Sequence, residues 1–228
     1  MKSAMIKDSE EAILIETGRM AARLIHDFKN QLGGLKIYAD YLQKRFSDNA
    51  EGVEVAEKIK RGLSEMAEQA AILSQLSRPL ESRMEEGDPA SVIEQVVSRL
   101  QSRASAKRAK ITLNLDPDAP RITFDSRQIG AALESIISRA VDATPEDGEV
   151  EISLRRRDEA LQVEIKDNGE MLDDNQRLSF FDPLAGDRLN KMALGLAMAR
   201  RIIEKHGGRI SARAGASAGT IVEVRLSL

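Results

Sequence analysis

The chain has no cysteine and no tryptophan, and only two histidines and six prolines, among 228 residues. Without cysteine there are no disulfides and no thiolate metal sites. The two histidines, His26 and His206, stand far apart in sequence, which argues against a histidine-based metal centre, so no metal ligand is assigned. Aromatic residues make up 3% of the chain, too few for a base-stacking platform. The 34 basic and 37 acidic residues are interspersed and leave a net charge of −3. Such a balance argues against binding driven by neutralising nucleic-acid phosphates. No apolar run approaches the roughly 20 residues that a membrane span needs. Met1 to Ile15 mixes Lys, Asp and Glu with apolar residues and lacks a signal-peptide core. These absences point to a soluble, cytoplasmic chain with neither nucleic acid nor membrane as partner. What is present is a hydrophobic fraction of 42%, enough to fill the core of one large domain or two small ones.

The first third is patterned as helix. From Ser9 to Phe46 there is no Pro, and Leu24, Phe28, Leu32, Leu35 and Leu42 recur at helical spacing. A break at Ser47-Asp48-Asn49 precedes a second run, Ala56, Ile59, Leu63, Met66, Ala70 and Leu73, which steps as a heptad seam. Two such helices form an antiparallel hairpin. A single hairpin with narrow seams cannot enclose a core, so a second copy is expected to complete a four-helix bundle as a homodimer. Within the first helix lies His26-Asp27-Phe28-Lys29-Asn30. Residues four apart share a helix face, so His26 and Asn30 present together. Asp27 is close enough to orient the imidazole, and a neutral imidazole is a good nucleophile for phosphorus. For an isolated His-Asp pair, the competing role is a solvated histidine on a charged face. Gly33-Gly34 falls mid-helix, where each glycine costs about 0.5–1 kcal/mol relative to Ala; it offers a bend, or close approach to a partner, beside His26.

The pattern changes near residues 78–89. Arg78-Pro79 ends the second helix, and an acidic linker is expected over 81–88. Val92, Ile93, Val96, Val97 and Leu100 mark a helix, and another runs from about Ser126 to Ala143, stopped by Pro145. Ile111–Leu115, Arg121–Phe124, Val150–Leu154 and Leu161–Ile165 read as strands, with Asp158-Glu159 as a hairpin turn. A last helix, about Ala193 to Lys205, stops at His206-Gly207-Gly208, before strands at Ile210–Ala214 and Ile221–Leu226. Strands alternating on one side and covered by helices make an α/β two-layer sandwich. The class is α+β, with a helical hairpin over 1–80 and the sandwich over 89–228.

At this point the chain resembles the catalytic core of two-component sensor histidine kinases. His26-Asp27-Phe28-Lys29-Asn30 resembles the family's H-box, with Gln31 in place of the usual Pro. Asp167-Asn168-Gly169 resembles the start of the first glycine box, Phe180-Phe181-Asp182-Pro183 the F-box, and Leu194-Gly195-Leu196-Ala197 the end of the second glycine box. The motifs occur in the family's order over nearly the whole length. The resemblance implies a dimeric phosphotransfer domain followed by an ATPase-like sandwich of the Bergerat type. It implies that His26 accepts the phosphoryl group, Asp27 assists, and Asn30 positions water for dephosphorylating a regulator. Lys29 and Gly33 would help dock the partner, a response-regulator receiver domain.

The departures fall in the nucleotide site. In the N-box segment Ser135-Ile136-Ile137-Ser138-Arg139-Ala140, Arg139 stands where the family has a magnesium-binding Asn. A guanidinium carries donors and no acceptor, so it cannot ligate a cation. Met171 replaces a glycine of the first glycine box, and Lys191-Met192-Ala193 the opening glycines of the second. Side chains there block backbone closure on phosphates. Asp167, which in the family contacts the adenine amine, persists, as do Gly169 and Gly195. Two site readings compete: Arg139 and Lys191 bind phosphate directly in place of magnesium, or the site is filled by its own side chains. The second is preferred, with no cofactor. The leading expectation is a histidine phosphotransferase, and possible regulator phosphatase, that exchanges phosphate between His26 and receiver aspartates without its own ATP. The alternatives are an ATP-dependent kinase with an atypical pocket that takes Mg-ATP, and a non-catalytic dimeric scaffold that binds receivers. Input is expected through the termini or a partner.

Overall fold

The computed structural model describes residues 25, 28, 30–47, 49–77, 80–183 and 191–228. The chain divides into two compact units, Met1–Pro79 and Leu80–Leu228. In the first, helix α1 covers residues 30–45 and α2 covers Ala50–Ser77. The turn between them is set by Asn49, whose side-chain oxygen accepts the Gly52 N–H at 3.1 Å and so caps α2. The two helices run antiparallel: Lys60 pairs with Asp40 at 2.6 Å and donates to Gln43 at 2.9 Å, and Gln43 donates to Glu57. Of the two seams, Leu32, Ala56 and Ala70 are buried, while Leu35, Leu42, Ile59 and Met66 stay exposed. Leu24 and the Leu73 side chain lie outside the described residues. Gly33 and Gly34 neither break nor end α1, and a methyl group on either would meet nothing within 4 Å.

The second unit is built on a five-stranded sheet of order β2-β4-β5-β7-β6. Its strands are β2 Lys110–Leu115, β4 Glu149–Arg157, β5 Ala160–Asp167, β6 Arg209–Ala214 and β7 Thr220–Ser227. β2 and β4 are parallel and the other pairs antiparallel. Strict alternation buries Val150, Ile152 and Leu154 on β4 and Leu161, Val163 and Ile165 on β5. The core they form with α3 (Pro89–Ala106), α4 (Ser126–Ala143) and α6 (Lys191–Lys205) includes Ile93, Val96, Ile136, Ile137 and Ile203.

The expected linker over 81–88 is corrected. Glu85–Gly87 is a short strand, β1, paired with β3 (Ile122–Phe124) in a separate ribbon. The segment before it is tied to the start of α4: the Arg83 N–H donates to Asp125 at 2.8 Å, and Ser82 donates to Gln128. Asp125 also caps α4 through the Gln128 N–H. Burial works against its charge, yet the N–H groups of Arg83 and Gln128 hold its carboxyl below the usual carboxylate range.

A further helix, α5 (Asp174–Ser179), was not expected; a capping box between Asp173 and Gln176 starts it. At the end of α6, Gly207 takes φ +72°, its N–H reaches Glu204 O, and the Gly208 N–H reaches Ile203 O, a Schellman closure. His206 accepts the Asp125 N–H on Nε2 at 3.1 Å, so its Nδ1 carries the proton toward Ile202 O at 2.8 Å. Its role is that of a clasp between α6 and the start of α4. Among the described residues, no helix is long and apolar enough to cross a membrane.

Candidate functional site

Alternation on β5 buries its apolar residues and carries Asp167, the last residue of the strand, into the interior at 2% exposure. A carboxylate there must be fully partnered. Oδ1 accepts the N–H of Gly169 at 3.0 Å and of Thr220 at 3.2 Å. Oδ2 accepts Arg139 Nη1 at 2.6 Å, and the Arg139 side chain is itself only 14% exposed. Arg139 comes from the last turn and a half of α4, and its guanidinium lies 5.0 Å over the Phe180 ring. Phe180 in turn meets Phe181 edge-on, with centroids 4.9 Å apart. The backbone packs tightly here. A Cβ on Gly169 would lie 2.4 Å from Ala143 O, and one on Gly219 would lie 1.8 Å from Asp167 O.

Two clefts meet at Arg139. One, of about 600 Å³, is lined by Arg139, Ser135, Ser138, Met192 and Gly195, with the Arg103–Asp142 pair at its rim. The other, of about 520 Å³, is lined by Arg139, Gly169, Met171, Asn168 and Leu172. Met171 and Met192 are both exposed along these walls. Gly195 lets α6 approach α4, since a Cβ there would stand 3.1 Å from Ser135 Oγ. Arg139, Asp167, Gly169, Met171, Met192 and Gly195 therefore share one locus. The side chain of Lys191 lies outside the described residues, as do residues 184–190 of the segment before α6.

The resemblance implies magnesium and ATP, and the residues treat the two differently. Among the described residues there is no group of three or more acids or histidines able to hold a metal ion. Glu134 is engaged by Arg99 and Asp142 by Arg103. The position expected to ligate magnesium presents a guanidinium, which repels it. Magnesium does not fit. The base side is better preserved. Thr220 Oγ1, beside Asp167, is buried without a hydrogen-bond partner among the described residues. An orphaned buried hydroxyl costs about 1–3 kcal/mol, which a bound water would recover.

On the first unit, Asn30 and Gly33 are exposed on α1. His26, Asp27 and Lys29 lie outside the described residues. The sequence did not single out Phe180 as the ring under Arg139, nor Ser138 and Thr220. The Phe180-Phe181-Asp182-Pro183 motif marked the first only as a family feature. Nothing marked Thr220, whose bond to Asp167 spans 53 residues.

Residues 124–228 match the family described as histidine kinase-, DNA gyrase B- and HSP90-like ATPase. Over 209 residues, 91% of this chain and 45% of the relative, the chain is 25% identical to the sensor histidine kinase ZraS of Klebsiella oxytoca. Over 198 residues, 82% of this chain and 56% of the relative, it is 27% identical to the sensory histidine kinase/phosphatase NtrB of the same organism. The chain thus spans about half the length of the curated relatives it matches. Full-length ShkA in complex with AMPPNP shares the fold with a TM-score of 0.65 at 20% identity, over 91% of this chain and 45% of that one. Histidine kinase ThkA in complex with the response regulator TrrA gives 0.63 at 19% identity, over 96% and 63%. Together these show similarity to sensor histidine kinases and an ATPase-like sheet-and-helix fold in the second unit.

Proposed function

We propose that this chain is the phosphoryl-handling core of a two-component sensor histidine kinase with an atypical nucleotide pocket. His26 is its phosphoacceptor and response-regulator receiver domains are its partners. The observation that carries this reading is the similarity to sensor histidine kinases through both units, 91% of the chain. It is supported by Asp167, which persists at the position that in the family contacts the adenine amine. In the reaction, an imidazole nitrogen of His26 forms a bond to phosphorus as the bond to the leaving phosphate of the nucleotide breaks. Asp27 stabilises the positive charge that develops on the ring. A receiver aspartate then takes the phosphoryl group. The ThkA–TrrA complex supports a partner of this class.

At 100° per residue, Asn30, Gly33, Ile37 and Tyr41 fall on one face of α1, opposite its seam, and the spacing in the sequence puts His26 in the same register. Ile37 is 69% and Tyr41 62% exposed, and Gly33 leaves open space, a surface suited to receiver docking. The seam residues left exposed, Leu35, Leu42, Ile59 and Met66, would be covered by a second copy in a four-helix bundle.

A second reading has one specific observation in its favour. The ion pair between Arg139 and Asp167 occupies the carboxylate that would meet the base. A core closed in this way would act as a histidine phosphotransferase, receiving phosphate from one receiver and passing it to another without ATP.

One experiment separates the readings. The chain is incubated with γ-labelled ATP, in magnesium and in EDTA, and separately with a labelled phospho-receiver. Acid-labile label on His26 from ATP supports the kinase, and label only from the receiver supports the phosphotransferase. In either case His26→Gln must lose the label. No label from either donor leaves a receiver-binding scaffold.

A further inference from the structure

The metal side of the cleft departs from what its fold implies, and Arg139 stands at the departure. Its guanidinium is held on two sides, by Asp167 through Nη1 at 2.6 Å and by the Phe180 ring at 5.0 Å. These contacts use one N–H and one face. The remaining N–H groups have no hydrogen-bond partner among the described residues, on a side chain that keeps 14% of its surface exposed. Arg139 lines both clefts, so these donors front open space of about 600 Å³ on one side and about 520 Å³ on the other. The Ser138 hydroxyl, one residue back on α4, lines the larger cleft and is likewise without a partner among the described residues. The acids on that wall, Glu134 and Asp142, are each matched by an arginine. They neither offer a metal seat nor leave an uncompensated negative charge against an incoming anion.

We propose that this cleft binds the phosphates of a nucleoside di- or triphosphate without a divalent metal, Arg139 supplying the fixed cation that contacts them. The inference rests on the nucleotide-site reading above and names its ligand form. A fork of donors anchored at one end by a carboxylate and supported beneath by a ring is pre-organised for phosphate oxygens. A magnesium ion on the same phosphates would stand against the guanidinium. A divalent and a monovalent cation about 6 Å apart repel, at water-like screening, by enough to weaken binding up to about tenfold, with the Asp167 carboxylate offsetting part of it.

The test is calorimetric titration of the full chain with ATP in EDTA, ATP in magnesium, pyrophosphate in EDTA, and adenosine. ATP and pyrophosphate are expected to bind in EDTA, magnesium to weaken ATP by up to about tenfold, and adenosine to bind far more weakly than ATP. Arg139→Gln is expected to lose about ten- to a hundredfold in ATP affinity in EDTA. Because that change also strips Asp167 of its partner, Ser138→Ala serves as a milder probe, with a loss of about three- to tenfold. Tighter binding in magnesium overturns the proposal, as does adenosine matching ATP or no binding of either anion. Transfer of label from a phospho-receiver to His26 does not depend on this cleft, so failure here leaves the phosphotransfer reading distinguishable.

Discussion

Replacing Arg139 with Leu tests the ion pair that organises the cleft. The substitution keeps much of the side-chain volume over Phe180 but removes the charge. It leaves the Asp167 carboxylate at 2% exposure with, among the described residues, only the Gly169 and Thr220 N–H groups for partners. Breaking a buried pair by removing one member costs about 3–5 kcal/mol, because the remaining charge is stranded. The lost cation–ring contact adds about 0.5–2 kcal/mol. Against a total stability of about 5–15 kcal/mol, the lower end of that range is already a large share. For a unit of this size each kcal/mol is about 2–4 °C in Tm, so a fall on the order of 10 °C is expected. Asp167→Asn added to Arg139→Leu should recover part of the loss. The neutral amide no longer strands a charge, and its oxygen can still accept from Gly169 and Thr220. The assay is thermal unfolding of the full chain, read by far-UV circular dichroism. An Arg139→Leu chain within 1 °C of the parent, or a double variant no better than the single, would refute the reasoning.

Other outcomes follow from the same structure. Asp125→Ala should cost about 2 kcal/mol, since it uncaps α4 and orphans the Arg83 N–H. The folded value of Asp125 is depressed, so its contribution is present at neutral pH and lost as pH falls through that lowered value; acid unfolding curves of the parent and Asp125→Ala should converge at low pH. Gly219→Ala should destabilise by at least about 2 kcal/mol, because a Cβ at φ +71° would sit 1.8 Å from Asp167 O. Arg139→Asn should not confer magnesium-dependent ATP binding tighter than about 100 μM, since Met171 and Met192 still stand at the phosphate loops; equilibrium dialysis decides it. Leu35→Asp with Leu42→Asp should shift the chain from dimer to monomer in light scattering at micromolar concentration, and a parent that is already monomeric would sink the bundle.

The long elements were legible because their periodicity is what burial selects. Ile136, Ile137, Ala140 and Val141 on α4, and Val150, Ile152 and Leu154 on β4, are buried as their spacing requires. The end of α6 was legible through glycine, which the Schellman turn needs at φ +72°. What was missed is short or non-local. β1 is Glu85-Glu86-Gly87, whose composition reads as a linker; its strand character comes only from pairing with β3. α5 buries none of its residues, so it has no apolar stripe to detect. Its capping box, Asp173 with Gln176, was the one readable signal. In the site, the unusual residue at position 139 was visible against the family motif. Its partner was not, because a pairing across 28 residues is fixed by how α4 lies on β5.

The pairing also explains why this cleft cannot be judged by its missing glycines and missing metal ligand one at a time. Arg139 and Asp167 are neutral together, and each is costly alone in so closed a place. A metal added beside Arg139 is repelled, and an asparagine put there would free a metal position while stranding Asp167. The base side and the phosphate side of the cleft are therefore coupled through one guanidinium. A ligand whose phosphates take the remaining Arg139 N–H groups leaves Nη1 on Asp167, so phosphate binding does not require the pair to break. A nucleotide offers phosphates and a base at once. Pyrophosphate and adenosine can each offer only one, so the affinity of ATP in EDTA should exceed what either fragment achieves.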